Sequence, residues 1–167
     1  MKRGKTMENT KKITCAFTGH RPERLDATEI KVKNWLTEQI EKAAGDGYRR
    51  FISGMQRGVD LWAAQAVLEL RERMPDVKLI AASAFRGMEN SSDWNDEWRA
   101  VYKKVIGAAN EVHFIGAIPG RVSYFMRNDW MVDRASRLIA VSTGAPGGTQ
   151  KTIDRARRLG LEIISFQ

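Results

Sequence analysis

Cysteine and histidine are scarce in this 167-residue chain, which contains one cysteine, Cys15, and two histidines, His20 and His113. A single cysteine excludes a disulfide framework, and two histidines this far apart form no metal-binding motif, so we predict no metal site. No apolar run approaches the roughly 20 residues of a transmembrane helix, and no hydrophobic segment follows the basic N-terminus as it would in a secretory signal. These absences predict a cytoplasmic protein with no membrane partner.

Acidic residues are outnumbered, and the net charge is +8. Residues 1–12 contribute +4, with five basic side chains against Glu8, and we predict that they form a disordered basic tail. The remaining residues, 13–167, contribute only another +4 and are predicted to form a single domain. An excess of this size fits a phosphate-bearing small molecule as well as a polynucleotide. A solvated surface with no ligand explains it equally well.

Short apolar runs alternate with amphipathic segments along the domain, and the runs are continuous rather than polar-alternating. This pattern is typical of a parallel sheet that is buried on both faces. The sequence therefore predicts an α/β, doubly wound, mostly parallel sheet with helices on both faces. The predicted strands are 13–17, 50–53, 77–82, 111–115, 137–142 and 161–166, and the predicted helices are 28–47, 59–74, 93–109, 123–136 and 149–159.

The loops that follow the predicted strands are rich in glycine, hydroxyl side chains and arginine. In a parallel sheet these loops meet at one edge, where ligands bind near the point at which the strand order reverses. Glycine lets backbone amides approach a phosphate, and arginine matches its oxygens. Tight turns alone also explain the glycines, and His20 is expected to be exposed. The residues predicted to bind phosphate from these loops are Thr18, Gly19, His20, Arg21, Ser53, Gly54, Arg57, Gly58, Arg86, Gly147, Gly148 and Thr149.

Four segments, FTGHRPERL (17–25), SGMQRGVDLWAAQAVLEL (53–70), RNDWMVDRASRLIAV (127–141) and GAPGGTQKTIDRA (144–156), resemble the YpsA-like branch of the SLOG superfamily. The resemblance spans residues 13–166 in the correct order. It implies a Rossmann-like fold and a pocket for a nucleotide derivative such as ADP-ribose, NAD or AMP. Its relatives include the Lonely Guy phosphoribohydrolases and the DNA-processing protein DprA. It also implies a bacterial protein that forms a homo-oligomer, most simply a dimer.

The resemblance extends to single residues of the Lonely Guy motifs. Arg127, followed by Met131, resembles their Arg-Lys-x-x-Met segment, which makes Arg127 a candidate phosphate ligand. Residues 146–149 resemble a shortened form of their PGGxGTxxE loop. The glutamate of that motif has no acidic counterpart here, and the nearest acid is Asp154. The match therefore favours binding over the family's cleavage chemistry, which needs a carboxylate.

Two acids remain as candidate catalytic residues, Asp60 and Asp133, although Asp133 could equally pair with Arg137 at i,i+4. The residues leave open whether any reaction is catalysed. We expect a sensor or regulatory protein that binds a nucleotide-derived, phosphate-bearing ligand (ADP-ribose- or NAD-like). The first alternative is a nucleotide-processing hydrolase that cleaves an N-glycosidic bond. A single-stranded DNA-binding protein similar to DprA is less favoured, because no basic groove is evident outside residues 1–12.

Overall fold

A computed structural model describes residues 2–167 of the chain. Within these residues, six strands form one sheet in the order β4-β3-β2-β1-β5-β6, and every neighbouring pair is parallel. This arrangement confirms the predicted α/β doubly wound fold. The strands are β1 (Thr14–Gly19), β2 (Arg50–Ser53), β3 (Lys78–Ser83), β4 (Glu111–Phe114), β5 (Arg137–Val141) and β6 (Glu162–Ser165).

The helices between the strands begin and end where local chemistry allows. The hydroxyl of Thr28 accepts a hydrogen bond from the Lys31 amide, and the side chain of Asn95 accepts one from the Trp98 amide, so each residue caps a helix. The helices are α1 (Lys2–Lys12), α2 (Glu29–Gly45), α3 (Val59–Arg73), α4 (Asp96–Ala108), α5 (Arg121–Asp133) and α6 (Gly148–Arg158). Short 3-10 helices lie at Pro22–Arg24 and Met88–Asn90.

Alternate residues of the strands supply two separate hydrophobic cores, one on each face of the sheet. Phe17 and Phe51 stack with ring centroids 6.1 Å apart in the core that α2, α3 and α4 cover. Ala16 and Ile52, the neighbours of these residues along the strands, pack into the core that α5 and α6 cover. The alternation follows from the two-residue period of a strand. The uninterrupted apolar runs in the sequence are therefore the strands of a sheet covered on both faces.

The strand order reverses between β1 and β5, since β2 to β4 lie on one side of β1 and β5 and β6 lie on the other. Such a reversal opens a crevice at the carboxyl ends of the two central strands, because the loops that leave them diverge to opposite faces of the sheet. Both strands are buried almost throughout, which holds the two loops in fixed positions.

The N-terminal segment differs from its prediction. The sequence predicts a disordered tail over residues 1–12, whereas Lys2–Lys12 form helix α1 in the structure. The segment attaches to the domain through its C-terminal end, where the Thr14 hydroxyl donates to the Thr10 carbonyl at 2.7 Å and Ser136 to the Lys12 carbonyl at 3.3 Å. The prediction was based on the excess of basic residues at this terminus. Lys, Arg, Glu and Met are nevertheless good helix formers.

Candidate functional site

A cleft of about 440 Å³ lies at the reversal point, at the carboxyl ends of β1 and β5. Three parts of the chain form its walls: the loop after β1, the exposed side of α5, and the loop that leads into α6. The β2–α3 connection closes its floor. The residues that line it are Phe17, Thr18, Gly19, His20, Arg21, Arg24, Gln56, Asp60, Arg121, Tyr124, Phe125, Arg127, Asn128, Met131, Pro146, Gly147, Gly148, Thr149 and Lys151.

The loop before α6 presents backbone to the cleft. Gly144 and Gly147 have φ of +81° and +146°, in the region that favours glycine, and a Cβ on either would meet no atom within 4 Å. Gly147 offers no side-chain cap to α6, whose first amides have no acceptor within the helix. Since no packing explains these glycines, their backbone faces open space at the positive end of the helix dipole. This arrangement suits an anion.

His20 joins this glycine loop to the loop after β1. Its Nε2 lies 3.1 Å from the Thr143 hydroxyl and 3.5 Å from that of Ser142, and its amide donates to the Val141 carbonyl at 3.3 Å. The sequence predicts an exposed histidine, but His20 is buried, because its ring fills the gap between the two central loops. Burial is the main cause that lowers its pKa, so the neutral ring is favoured.

Asp60 and Arg127 form the buried floor of the cleft, with exposed fractions of 6% and 5%. Asp60, in the first turn of α3, accepts a hydrogen bond at Oδ2 from the Gln56 amide at 3.3 Å, whereas its buried Oδ1 has no partner. Arg127 donates from Nη1 to the Gly54 carbonyl and from Nε to Asn128 Oδ1 at 2.8 Å. Burial raises the pKa of Asp60 to about 6, against the opposing attraction of Arg127.

Gly54 separates these two charged groups. A Cβ built on it would lie 2.7 Å from Asp60 Oδ2 and 2.9 Å from Arg127 Nη1, distances shorter than any normal contact. Gly54 is therefore required by the floor itself. It brings its carbonyl, rather than a side chain, to the arginine, and this predicted ligand residue contributes to the site from beneath.

Cations dominate the rim. Arg21, Arg24, Arg121 and Lys151 all line the cleft with solvent-accessible side chains. Arg121 and Lys151 lie over the ring of Phe125, at 5.6 and 4.8 Å from its centroid. Among the described lining residues, Asp60 is the sole acid. The cleft therefore has a cationic mouth and an unpaired acceptor at its floor.

Two of the predicted arginine ligands do not line the cleft. Arg57 points away from it and forms a two-bond ion pair with Glu23, at 2.6 and 2.7 Å, and a further bond to Asp93. Arg86 lies over the ring of Phe114, 4.2 Å from its centroid, in a separate depression beside edge strand β4. The sequence correctly identifies both as arginines on loops at the carboxyl edge, but carboxylates and rings of the same chain bind them instead.

Besides Gly54, which lies beneath the floor, three further predicted residues do not line the cleft. The hydroxyl of Ser53 is buried and donates to the backbone carbonyl of Asp60 at 2.8 Å, so it shapes the floor from behind. Gly58 packs against Pro22 with φ of +93°. Asp133 is the last residue of α5, at the end remote from the cleft, and it pairs with Arg155 at 2.8 Å. The partner predicted for Asp133, Arg137, bonds to Glu162 and Asp46 instead.

The structure adds lining residues that the sequence analysis missed, above all Arg121, Tyr124, Phe125 and Asn128 on α5. They recur at the i, i+3, i+4, i+7 spacing of one helix face, so the signal was present in the sequence. Arg24 and Gln56 carried no comparable pattern, whereas Lys151 falls on the glutamate position of the Lonely Guy loop in the sequence resemblance. The residues predicted in the cleft and found to line it are Thr18, Gly19, His20, Arg21, Asp60, Arg127, Gly147, Gly148 and Thr149.

Two further classes of site find no support in the part of the chain that the structure describes. Residues 2–167 contain no group of three or more His, Cys, Asp or Glu side chains placed to hold a metal ion. No described helix has the length and apolar character needed to span a bilayer.

Solved structures with a similar fold include DNA processing protein A from Helicobacter pylori, whose single-stranded DNA binding mode has been studied structurally. It is 15% identical, with a TM-score of 0.65 over 96% of this chain and 67% of that one. The same protein from Streptococcus pneumoniae is 17% identical, with a TM-score of 0.62 over 93% of this chain and half of that one. TM1055 has a TM-score of 0.55 at 16% identity, over 90% of this chain and 71% of that one. At these identities the likeness establishes the fold alone.

Sequence relatives cover nearly the whole chain. UPF0398 proteins from Bacillus thuringiensis (strain Al Hakam) and Bacillus cereus (strain G9842) are each 26% identical over 160 residues, which is 90% of this chain and 85% of theirs. The model of the YspA SLOG family matches residues 15–158, a range that runs from the second residue of β1 to the end of α6 and includes every residue that lines the cleft. The chain is therefore a member of the YspA SLOG family.

Proposed function

We propose that the protein binds a nucleotide-derived, phosphate-bearing small ligand in this cleft and acts as a sensor or regulatory protein. One observation carries the proposal: an open glycine loop at the start of α6 faces the cationic rim of Arg21, Arg24, Arg121 and Lys151. Free backbone amides, a helix dipole and cationic side chains are the usual elements of a phosphate site. They meet where a doubly wound sheet binds its ligands.

The floor of the cleft favours a ligand that carries a hydrogen-bond donor as well as a phosphate. Asp60 Oδ1 is buried without a partner, and a buried unpaired acceptor costs free energy until a donor satisfies it. A ribose hydroxyl or a base amino group is such a donor, and the rings of Tyr124 and Phe125 offer apolar surface beside it. ADP-ribose, NAD and AMP all combine these groups with phosphate, and they are the compounds to test first.

Binding ranks ahead of hydrolysis because the cleft holds a single described carboxylate. Enzymes that cleave glycosidic bonds ordinarily use two, one to assist the leaving group and one to stabilise or attack the sugar. Asp154, the acid nearest to the family's catalytic position, accepts from Gln150 at 2.9 Å and does not line the cleft. We therefore expect occupancy without turnover.

The test is isothermal titration with ADP-ribose, NAD and AMP, with chromatography of each mixture for new products. We expect at least one compound to bind, and Lys151→Ala to weaken its binding about tenfold or more, since a charge-assisted bond contributes about 1.5–3 kcal/mol. Arg158→Ala is the matched control, because Arg158 is exposed on the same helix but lies outside the cleft. Failure of all three compounds to bind would refute the proposal, as would equal losses from the two substitutions.

N-glycosidic hydrolysis is the second candidate, and the state of Asp60 favours it. Its pKa of about 6 and its unpaired Oδ1 suit a group that gives or takes a proton near neutral pH. This function predicts release of a free base or ribose phosphate that Asp60→Asn abolishes while the ligand still binds. Bound but intact ligand after prolonged incubation would eliminate this candidate.

Single-stranded DNA binding is the third candidate, and the fold shared with DNA processing protein A supports testing it. We expect only weak binding that falls steeply with salt and that requires residues 1–12, where Lys2, Arg3, Lys5, Lys11 and Lys12 are concentrated. If a chain without these residues binds oligonucleotides as tightly as the full chain, the DNA function gains over the nucleotide function.

We further propose that the protein acts in the cytoplasm, where nucleotides of this kind are available, and that it forms a homodimer. Size-exclusion chromatography with light scattering tests the second statement directly. A monomer at micromolar concentration would contradict it.

A further inference from the structure

Arg57 connects three of the loops at the carboxyl edge. From the β2–α3 connection, its guanidinium reaches Glu23 in the loop after β1, with bonds of 2.6 and 2.7 Å, and Asp93 in the loop before α4, at 3.0 Å. Its side chain is only 9% exposed. The β2–α3 connection also touches the loop after β1 at Gly58, where a Cβ would lie 2.8 Å from the Pro22 ring. Ionic and packing contacts thus join the β1 loop to the β2–α3 connection.

Asp93 extends this connection to the cleft. The oxygen that accepts from Arg57, Oδ2, also accepts from Arg21 Nη1 at 3.2 Å. Arg21 lines the cleft, whereas Arg57 does not. Only one nitrogen of Arg21 is engaged by this contact, so its remaining donors are available to a ligand. The chain of contacts runs from Glu23 through Arg57 and Asp93 to Arg21.

We propose that Arg57 is a positioning residue that, through Glu23 and Asp93, holds the β1 loop and presents Arg21 to an anion in the cleft. A two-bond guanidinium–carboxylate pair fixes direction as well as distance, which a flexible loop otherwise lacks. Because Arg21 is already ordered before a ligand binds, binding loses less conformational entropy. The proposal rests on the proposed function for its ligand, but the ordering of the loop does not require one.

The first test needs no ligand. Three loop amides report on the order of these loops. In the loop after β1, the Arg24 amide donates to the Arg21 carbonyl at 3.0 Å and the Leu25 amide to the Pro22 carbonyl at 3.3 Å. In the loop before α4, the Trp94 amide donates to the Ser91 carbonyl at 3.0 Å. In Arg57→Met, which keeps a long apolar side chain, hydrogen exchange at these three amides should accelerate several-fold. Exchange at the Leu79 amide, bonded to Asn110 at 2.9 Å, should not change. Asp93→Asn, at an exposed site, should accelerate Trp94 as well.

The second test measures whether Arg57 acts through Arg21, with ADP-ribose as the probe. We expect Arg57→Met to weaken binding roughly fivefold or more, and under about twofold when Arg21 is already alanine, because residues that share a network are not additive. Arg49→Met is the matched control. Arg49 is equally engaged, at 2.9 Å from Asp76, but lies at the opposite edge of the sheet, and its loss should leave affinity unchanged.

The two arms separate the possible failures. If the unsubstituted protein does not bind ADP-ribose, this compound is not the ligand, and the hydrogen-exchange experiment alone decides the role of Arg57. Unchanged exchange in Arg57→Met would overturn the inference whatever binds. An equal loss of affinity with and without Arg21 would also overturn it, since Arg57 would then act on the fold as a whole.

Discussion

Replacing Asp60 by asparagine should stabilise the protein above pH 6 and have little effect near pH 4. Burial raises the pKa of Asp60 from 3.8 to about 6. The folded state therefore holds the proton more tightly than the unfolded state. The resulting stability is complete below pH 3.8 and is lost as the pH rises to about 6. A pKa difference of about 2 corresponds to about 3 kcal/mol, which is the cost of the ionised carboxylate in the fold at neutral pH.

The attraction of Arg127 is already contained in this figure, because it acts in the opposite direction to burial and is the smaller effect. Asparagine has the shape of the protonated acid, and its carbonyl can still accept from the Gln56 amide, now 3.3 Å from Oδ2. Its amide group, however, enters the site of the unpaired oxygen and needs an acceptor, which offsets part of the gain. We therefore expect a net stabilisation of about 1–3 kcal/mol at pH 7.

Urea denaturation of both proteins from pH 4 to pH 8 measures this effect. The difference between their free energies of unfolding should rise with pH and reach a plateau above about pH 6. Other titrating groups, such as Glu23 and Glu111, are present in both proteins and cancel. Asp76→Asn is the control, since that carboxylate is 67% exposed and its substitution should change the stability little.

A flat or falling difference for Asp60→Asn would refute the reasoning. It would mean that Asp60 is ionised in the fold at no cost, so that its Oδ1 is neither buried nor unpaired in solution. The substitution should also affect function. It should raise the free energy of unfolding and at the same time lower the affinity for the proposed ligand. A destabilised charge kept at a cleft is the usual sign of a group retained for function.

Two further predictions concern single contacts. Gly54→Ala should cost about 1–3 kcal/mol by chemical denaturation, because its methyl would overlap Asp60 and Arg127. Gly107→Ala, in α4 with no atom within 4 Å, should instead gain about 0.5–1 kcal/mol. In Arg57→Met, the pKa of Glu23 should rise from about 2 towards 4.5, as NMR titration would detect. The stability that this pair provides above pH 4.5 and loses as the pH falls towards 2 should disappear, although the effect is small because the Glu23 side chain is 54% exposed.

The fold was largely predictable because burial on both faces leaves uninterrupted apolar runs in the strands, while helices keep one apolar face. Helix boundaries were less predictable where side chains have other partners. The predicted start of α4 at residue 93 is three residues early, because Asp93 bonds to Arg57 and Asn95 caps the helix instead. Strand order was beyond prediction, since either side of β1 was open to β5 on the sequence alone.

The site was predictable where a residue's type has one explanation and unpredictable where it has two. Gly147 has φ of +146° and an open surrounding, so a glycine there indicates that backbone rather than a side chain is presented to the cleft. An arginine in a loop indicates an anionic partner, but its type does not tell whether that partner is a ligand or a carboxylate of the same chain. Arg21 lines the cleft and retains free donors, whereas both terminal nitrogens of Arg57 bond to Glu23 and Asp93.

The difference between these two arginines lies in contacts between residues 34 and 36 positions apart, which no local pattern contains. An arginine on a loop at the edge of a sheet forms an ion pair with a carboxylate of its own chain wherever folding brings the two within contact. Such an arginine is then not available to a ligand. The arginines that remain available to a ligand are those with no carboxylate of the chain nearby. At this cleft the shortage is pronounced, because Arg24, Arg121 and Lys151 line it together with a single described acid, the buried Asp60. A rim so short of internal acids supports the proposal that an anionic ligand binds there.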